Sequence, residues 1–406
     1  MTGQAPRTLL TFCPLPHNGT GVAQSCVEIL ANTPPRLFST RLMTPRTRRR
    51  VPRGVSLTQT LPPLVRSLPW RWVRPLGASS LLRRFEEAID AADPERSVAY
   101  FWPQPPVELV NRAKSRGFFT VREMTNCTRT AAKSILDRAY ESLGMAPNHG
   151  ISQESCELEN RELDAYDAIF ASPQVVPTLA EVWIGQERVL TTSFGWSPTR
   201  FAPTVRPQRN ERFTAVFAGT LCVRKGVPWL IEAWRRSEVE GELLIAGKVR
   251  PEMAPFLAAC RGDRSIRFLD YVRNLAALYR QADCFVFPTL EEGGPQVTYE
   301  AAACDVPIIT TPMGAGALVK NEINGLITPA GDSEALASAI SRMAASVDLR
   351  ERLAKQARHD VERFTYEAVG ADRARMLAGR LDGRSRSRPD HDPENRSVVA
   401  NKHEAP

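Results

Sequence analysis

From residue 213 onward the chain alternates short, wholly apolar runs with longer stretches whose apolar residues recur every three or four positions. The short runs fall at Thr214 to Ala218, Leu243 to Ala246, Ile266 to Leu269, Cys284 to Phe287 and Val306 to Thr310. Consecutive apolar positions fit strands buried on both faces, and the helical stretches between them supply the cover. That is the pattern of a parallel sheet in an α/β domain. The first half repeats it more loosely, with strands expected at Thr8 to Cys13, Val98 to Trp102, Phe118 to Arg122, Ala168 to Ala171 and Val189 to Thr192. Two such domains follow, and ligands of such sheets bind beyond the strands' carboxyl ends, hence in the cleft between the domains. Turn formers from Phe194 to Pro203, then polar Arg206 to Arg212, place a linker near 200–212. The expected units are therefore 1–205 and 206–360, a helix within 361–381, and a disordered tail over 382–406, where Arg, Ser, Pro, Asp and Asn dominate.

The stretch Leu290 to Glu300 carries the clearest chemistry. Two carboxylates, Glu292 and Glu300, flank a Gly293-Gly294-Pro295 turn between an expected strand and an expected helix from Gln296 to Cys304. The glycines let a ligand approach the backbone, and Pro295 suits the first helical position. The free first-turn amides around Gln296 and Val297, aided by the helix dipole, face an anion such as a diphosphate. Glu292 then reaches the hydroxyls of a sugar, and Glu300, a turn into the helix, accepts the hydroxyls of a ribose.

On these residues, from Glu292 through Ile309, the chain resembles the E-x7-E signature of family-4 glycosyltransferases. Phe217 to Pro228 is similar to the family's strand, turn and Lys-Gly step, and Asn324 to Asp332 to its next strand and helix start. The resemblance covers Phe213 to Leu377 in order and spacing and the first half in outline. It implies a GT-B fold, two Rossmann-like domains facing across a cleft, with a carboxyl-terminal helix crossing back to the first domain. It also implies metal-independent, retaining transfer of a sugar from a nucleoside diphosphate to an acceptor hydroxyl, with no cofactor. Gly219 and Thr220 would then lie near the donor, and Arg224 and Lys225 at its diphosphate, where fixed cations stabilise the departing charge. Many members carry Arg directly after the glycine; Thr220 stands here, so Arg224 is left to supply the guanidinium. Gly19 and Gly21, after the first strand, correspond to a glycine loop that borders the cleft, although an ordinary strand-to-helix turn explains them as well. Many members also end a strand of the first domain with a histidine that meets the sugar. The chain has none between Phe119 and Asn126, which leaves Glu123 or Asn126 to supply a hydrogen bond. An epimerase or hydrolase on the same fold, and a non-catalytic sugar-nucleotide-binding subunit of an envelope polysaccharide complex, are the alternatives.

Charge changes the picture of the first domain. The chain of 406 residues has a net charge of +8, yet Arg36 to Arg84 holds twelve arginines and no Lys, Asp or Glu. We read this as an Arg-rich insertion, 36–84. Thr47 to Arg50 is a basic run, and Leu61 to Arg74 interleaves arginine with Trp70, Trp72 and leucine. Such composition suits an anionic membrane surface or a phosphorylated acceptor, with a solvated loop as the plain alternative; no motif points to nucleic acid. Glu157, Glu159, Glu162 and Asp164 read as a solvated helix face, with Leu158 and Leu163 inward. His17 and His149 read as surface or capping residues. Eight scattered cysteines without a C-x2-C pair read as reduced packing thiols. Asp390-His391-Asp392 has the letters of a metal-binding Asp-x-Asp but falls in the expected tail, so no metal is expected. No run approaches the ~20 apolar residues that span a bilayer, and no secretory segment opens the chain. The expected location is the cytoplasm, peripheral on the inner face of the membrane.

Overall fold

Seven parallel strands form the first sheet, in the order β3-β2-β1-β4-β5-β6-β7. They are β1 (Arg7–Phe12), β2 (Phe38–Thr44), β3 (Val55–Gln59), β4 (Ser97–Phe101), β5 (Phe119–Glu123), β6 (Ala168–Ala171) and β7 (Val189–Thr191). The second sheet has six, β8 (Phe213–Ala218), β9 (Gly241–Ala246), β10 (Ile266–Leu269), β11 (Cys284–Phe287), β12 (Ile308–Thr310) and β13 (Leu326–Ile327), in the order β10-β9-β8-β11-β12-β13. Helices cover both sheets, giving two Rossmann-like domains of the GT-B type. The computed structural model describes residues 6–201 and 212–387. Residues 202–211 of the expected linker, and 388–406 with Asp390-His391-Asp392, lie outside the described residues. The central strands β4 and β11 are buried at every position, which is why they read as unbroken apolar runs. All eight cysteines are buried free thiols.

The Arg-rich stretch 36–84 is not an insertion. It supplies β2 and β3 of the sheet and the helix Trp70–Ala91. Strand β2 pairs with β1 from Arg7↔Phe38 to Phe12↔Met43. Along it Phe38, Thr40 and Leu42 are buried while Ser39 and Arg41 are exposed. An alternating strand carries its charge on one face, and composition averages over both.

The chain crosses between domains twice, side by side. Trp196, leaving the first domain, accepts at its carbonyl from Tyr366 N (3.0 Å) and donates its own N–H to Phe364 O (3.0 Å); its indole N–H donates to Val361 O. The helix Tyr366–Ser387 then lies on the first domain, against the helix Gly21–Ala31. Tyr366, Ala374, Leu377 and Leu381 join that domain's core. The helix runs on to Ser387, so the segment 382–387 is helical rather than tail. Among the described residues no helix is long and apolar enough to cross a membrane.

Candidate functional site: the cleft at the strand ends

Gly226 fixes the first part of the site. Its φ is +70°, and a Cβ there would lie 1.9 Å from Pro288 O, so only glycine lets the turn after β8 press against the turn after β11. Gly226 caps the helix Val227–Arg236, and Arg224 and Lys225 end the short turn before it. The two turns are stitched by Leu290 N donating to Arg224 O at 2.9 Å. This brings the cations and the carboxylates together: Arg224 pairs with Glu291 at 3.0 Å, and Lys225 pairs with Glu292. Burial, then the Arg224 guanidinium, press the Lys225 ammonium down to about 7. The Glu291 carboxylate opposes that loss. Gly219 and Thr220 lie at the end of β8, with Thr220 exposed to the cleft.

The Gly-Gly-Pro turn departs from expectation. A Cβ on Gly293 would lie 2.2 Å from Thr125 C and 2.3 Å from Asn126 N, and one on Gly294 would lie 1.9 Å from the Phe194 ring. In this conformation the glycines admit the first domain's own backbone and an aromatic ring, rather than a ligand. Ser172 and Gln174 of the first domain both donate to Gly293 O, at 2.5 and 3.3 Å. Pro295 is the N-cap, one position before the helix Gln296–Ala303. The side chain of Gln296 donates to Tyr366 Oη, and Val297 packs against the second domain's core. Glu300 is partly buried on the same helix. Burial pushes its carboxyl up to about 7, while the nearby Arg200 guanidinium and Tyr279 hydroxyl favour the ionised form.

In the first domain Glu123 is a structural residue, only 1% exposed. Its carboxylate takes two bonds from Arg373 of the crossing helix, at 2.6 and 3.1 Å, and one from the Tyr100 hydroxyl. The pleat turns it away from the cleft and onto the helix that covers the sheet. Asn126 is exposed at the cleft. Gly19 (φ +86°) and Gly21 (φ +66°) form the loop after β1. His17, 2% exposed, lies within this loop, its ring bonded to Thr47 Oγ1 (2.9 Å) and Gln24 Oε1 (2.7 Å). His149 is likewise held, by Asp137 at 2.8 Å and by Ile151 N. Both histidines are fixed parts of the scaffold. Glu159 and Glu162 are buried against Arg129 and Arg122, whereas Leu158 is 55% exposed. The helix Gln153–Asp164 thus turns two of its acids inward against expectation, while Glu157 and Asp164 are exposed and Leu163 is buried as expected.

Glu291 is a cleft residue that the sequence reading passed over in favour of its neighbour. It is buried, and besides Arg224 it accepts from Cys127 N, at the start of the helix Arg129–Ser142, at 3.1 Å. The adjacent Glu291-Glu292 pair was the available signal, but nothing local says that one acid turns to the other domain. Ala139 and Tyr140 of that first-domain helix pack with Val223, Trp229 and Leu290, so an apolar contact closes the domains beside the cations. The cleft left open, about 520 Å³, is lined by Asn126, Arg129 and His149 from one domain and Thr220, Arg224 and Glu291 from the other.

Comparison with known proteins agrees with this architecture. Residues 212–346 match the family model "Glycosyl transferases group 1". The second domain is similar to the group 1 glycosyltransferases. The capsular polysaccharide biosynthesis glycosyltransferase CapM of Staphylococcus aureus is 30% identical over 169 residues, 39% of this chain and 44% of that protein. The chain thus aligns with less than half of that relative's length. Over nearly the whole chain the fold resembles sucrose-phosphate synthase from Thermosynechococcus elongatus, with a TM-score of 0.67, 19% identity and 94% and 99% of the two chains covered. It also resembles HepE of Anabaena, solved with UDP-glucose, with a TM-score of 0.64, 14% identity and 93% and 100% covered. At such identities the likeness fixes the GT-B fold.

Proposed function

We propose that the protein transfers a sugar from a nucleoside diphosphate to an acceptor hydroxyl, with retention and without a metal, in the synthesis of a cell-surface polysaccharide or glycolipid. The observation that carries this reading is the meeting of Arg224, Lys225, Glu291 and Glu292 at the carboxyl ends of β8 and β11, in a domain similar to the group 1 glycosyltransferases. The cations are partnered by carboxylates, so these four side chains together are close to neutral. A diphosphate exchanges one anion for another at Lys225 and Arg224, freeing Glu292 to accept sugar hydroxyls. HepE, solved with UDP-glucose, and CapM, named for capsular polysaccharide synthesis, supply the analogies for donor and pathway. The burial of Glu123 favours one other reading, a subunit that binds sugar nucleotides without transferring them, since that strand end offers no catalytic group to the cleft. A thermal-shift panel of nucleoside diphosphates and their sugars, followed by transfer to added acceptors, separates the two. A ligand at about 100 times its Kd stabilises by about 2.7 kcal/mol; stabilisation without transfer sinks the catalytic reading.

Glu300 gives a pH signature. Its carboxyl is pushed up to about 7, and ribose hydroxyls donate best to the ionised form. Nucleoside diphosphate affinity is therefore expected to fall as pH drops below about 7 relative to that of Glu300→Gln, by up to tenfold per unit. Above pH 8 the variant should bind roughly ten- to a hundredfold more weakly than wild type, from lost charge-assisted bonds. Titrations at pH 6, 7 and 8 on both proteins check this. The comparison cancels the titrations of Lys225 and of the nucleotide, and parallel pH curves would remove Glu300 from the donor site.

The peripheral location is part of the same proposal. Leu64 is 91% exposed, Trp72 63% and Leu76 49%, beside exposed Arg71 and Arg74. Apolar side chains ringed by arginines suit an anionic interface, at about 1 kcal/mol for each arginine near the surface. Co-sedimentation with phosphatidylglycerol vesicles is expected to weaken roughly tenfold or more in Arg71→Gln/Trp72→Ser/Arg74→Gln, and to weaken with salt. Equal sedimentation of the two proteins would exclude this face as the anchor.

A further inference from the structure

Arg46 is 2% exposed, and among the described residues its guanidinium meets no carboxylate. Its Nη1 donates to two carbonyls, Arg66 O at 2.7 Å and Leu68 O at 2.5 Å. The group lies over the Trp70 ring, 5.4 Å from its centroid, and its buried Nε has no partner. A buried cation without a counter-ion is costly. Around it opens a pocket of about 520 Å³ lined by Asn18, Arg46, Arg48, Arg49, Pro69 and Trp70. No acid lines it. Arg48 and Arg49 are exposed, and neither meets a carboxylate among the described residues.

The walls are held before any ligand arrives. His17 N donates to Arg46 O at 3.0 Å and Arg48 N to His17 O at 2.9 Å, and the His17 ring is tied to Thr47. Gly19 makes room for the Arg49 side chain: a Cβ there would lie 3.0 Å from Arg49 Cγ, and its φ is +86°. The pocket therefore sits where the loops leaving β1 and β2 meet, at the carboxyl ends of their strands, the side of the sheet that faces the cleft.

We propose that this pocket binds a phosphate or diphosphate ester, and that it recognises the phosphorylated part of the acceptor. Arg48 and Arg49 supply charge-assisted bonds, Asn18 a polar contact, and Arg46 the uncompensated field beneath them. This assignment rests on the transfer reading for the word acceptor, but the binding itself does not, and it is measured without transfer.

The probe is inorganic pyrophosphate, titrated calorimetrically into Arg224→Ala/Lys225→Ala protein at constant ionic strength, so that the diphosphate site of the second domain is silent. One saturable site is expected. Adding Arg48→Gln/Arg49→Gln should weaken it roughly tenfold, and Arg48→Lys/Arg49→Lys should recover part of the loss while keeping the charge. Absence of saturable binding, or binding indifferent to the Gln changes in folded protein, overturns the proposal. Vesicles of phosphatidic acid against phosphatidylglycerol at equal surface charge identify the source. A preference for the monoester that the Gln variant loses marks a lipid-borne phosphate, and pyrophosphate binding without that preference marks a soluble one. Loss of donor binding in the thermal-shift panel would overturn the transfer reading alone.

Discussion

Arg373→Met is expected to destabilise the first domain by about 3–5 kcal/mol, the cost of leaving a buried charge without its partner. Arg373 and Glu123 are 3% and 1% exposed. The guanidinium serves several acceptors at once, with two bonds to Glu123, one to Ser193 O at 2.9 Å and one at 3.1 Å to the Tyr100 hydroxyl. It also lies 4.9 Å from the centroid of Phe170 and 5.4 Å from that of Phe194. Methionine fills much of the space but leaves the Glu123 carboxylate with the Tyr100 hydroxyl alone. Arg373→Met/Glu123→Gln should recover most of the loss, because no buried charge then remains. A chain of two domains does not unfold in one step, so the measurement is amide exchange along β5 and the helix Tyr366–Ser387 as denaturant rises. Unchanged exchange in the single variant would show that apolar packing alone holds the crossing helix. The single variant should also loosen the crossing between domains, since this helix begins at Tyr366, which pairs with Trp196.

Lys225→Ala is expected to lower turnover by roughly 10²- to 10³-fold, the range found when one preorganised donor to developing charge is removed. Its ammonium is buried beside Glu292 and 5.3 Å from the centroid of the Phe287 ring, a place where water cannot substitute for it. Arg224→Ala should cost less, because that guanidinium is about a third exposed and solvent screens part of its charge. Binding of the nucleoside part should fall much less than turnover in both, which a comparison of nucleotide titration with transfer rate reveals. Transfer by the wild type should persist in a chelator. Full loss of activity in chelator, restored by magnesium or manganese, would contradict cations of the protein as the groups that meet the leaving diphosphate. The variant also leaves Glu292 buried without its partner, so its stability must be measured beside its rate. A drop in both turnover and nucleoside binding, in protein that has lost stability, would mean that the ion pair holds the site together rather than acting on the leaving group.

Much of the fold was legible, and the reasons are particular. Strands β6, β10 and β11 stand at the residues expected from their apolar runs, and β1, β4, β5, β7 and β8 within one or two. Strands β4, β6 and β11 are buried at every position, so their sequences are almost wholly apolar and announce themselves. Strands β2 and β3 were hidden because one face is solvated: Arg41 points out of a strand whose Phe38 and Leu42 are core. The helix Gln153–Asp164 was recognised, and Glu157, Leu163 and Asp164 face as expected, but Arg122 and Arg129, more than twenty residues earlier, draw Glu162 and Glu159 inward.

The sequence by itself determined where strands end and turns begin. That places Arg224, Lys225, Glu292 and Glu300 at one edge of the second sheet, since the Lys225-Gly226 step follows a buried strand and the E-x7-E spacing fixes two acids around one helix start. These are local facts, written in the conformational limits of nearby residues. Tertiary structure alone decided which partner each charge takes. Glu123 could have faced the cleft or the covering helix, and only Arg373, 250 residues away, settles it. Gly293 and Gly294 could have admitted a ligand or another backbone, and in this conformation the first domain fills the space. Glu291 turns to Cys127 across the cleft for the same reason: a buried charge or an open backbone is satisfied by whatever the fold brings near, and distance along the chain carries no trace of that choice.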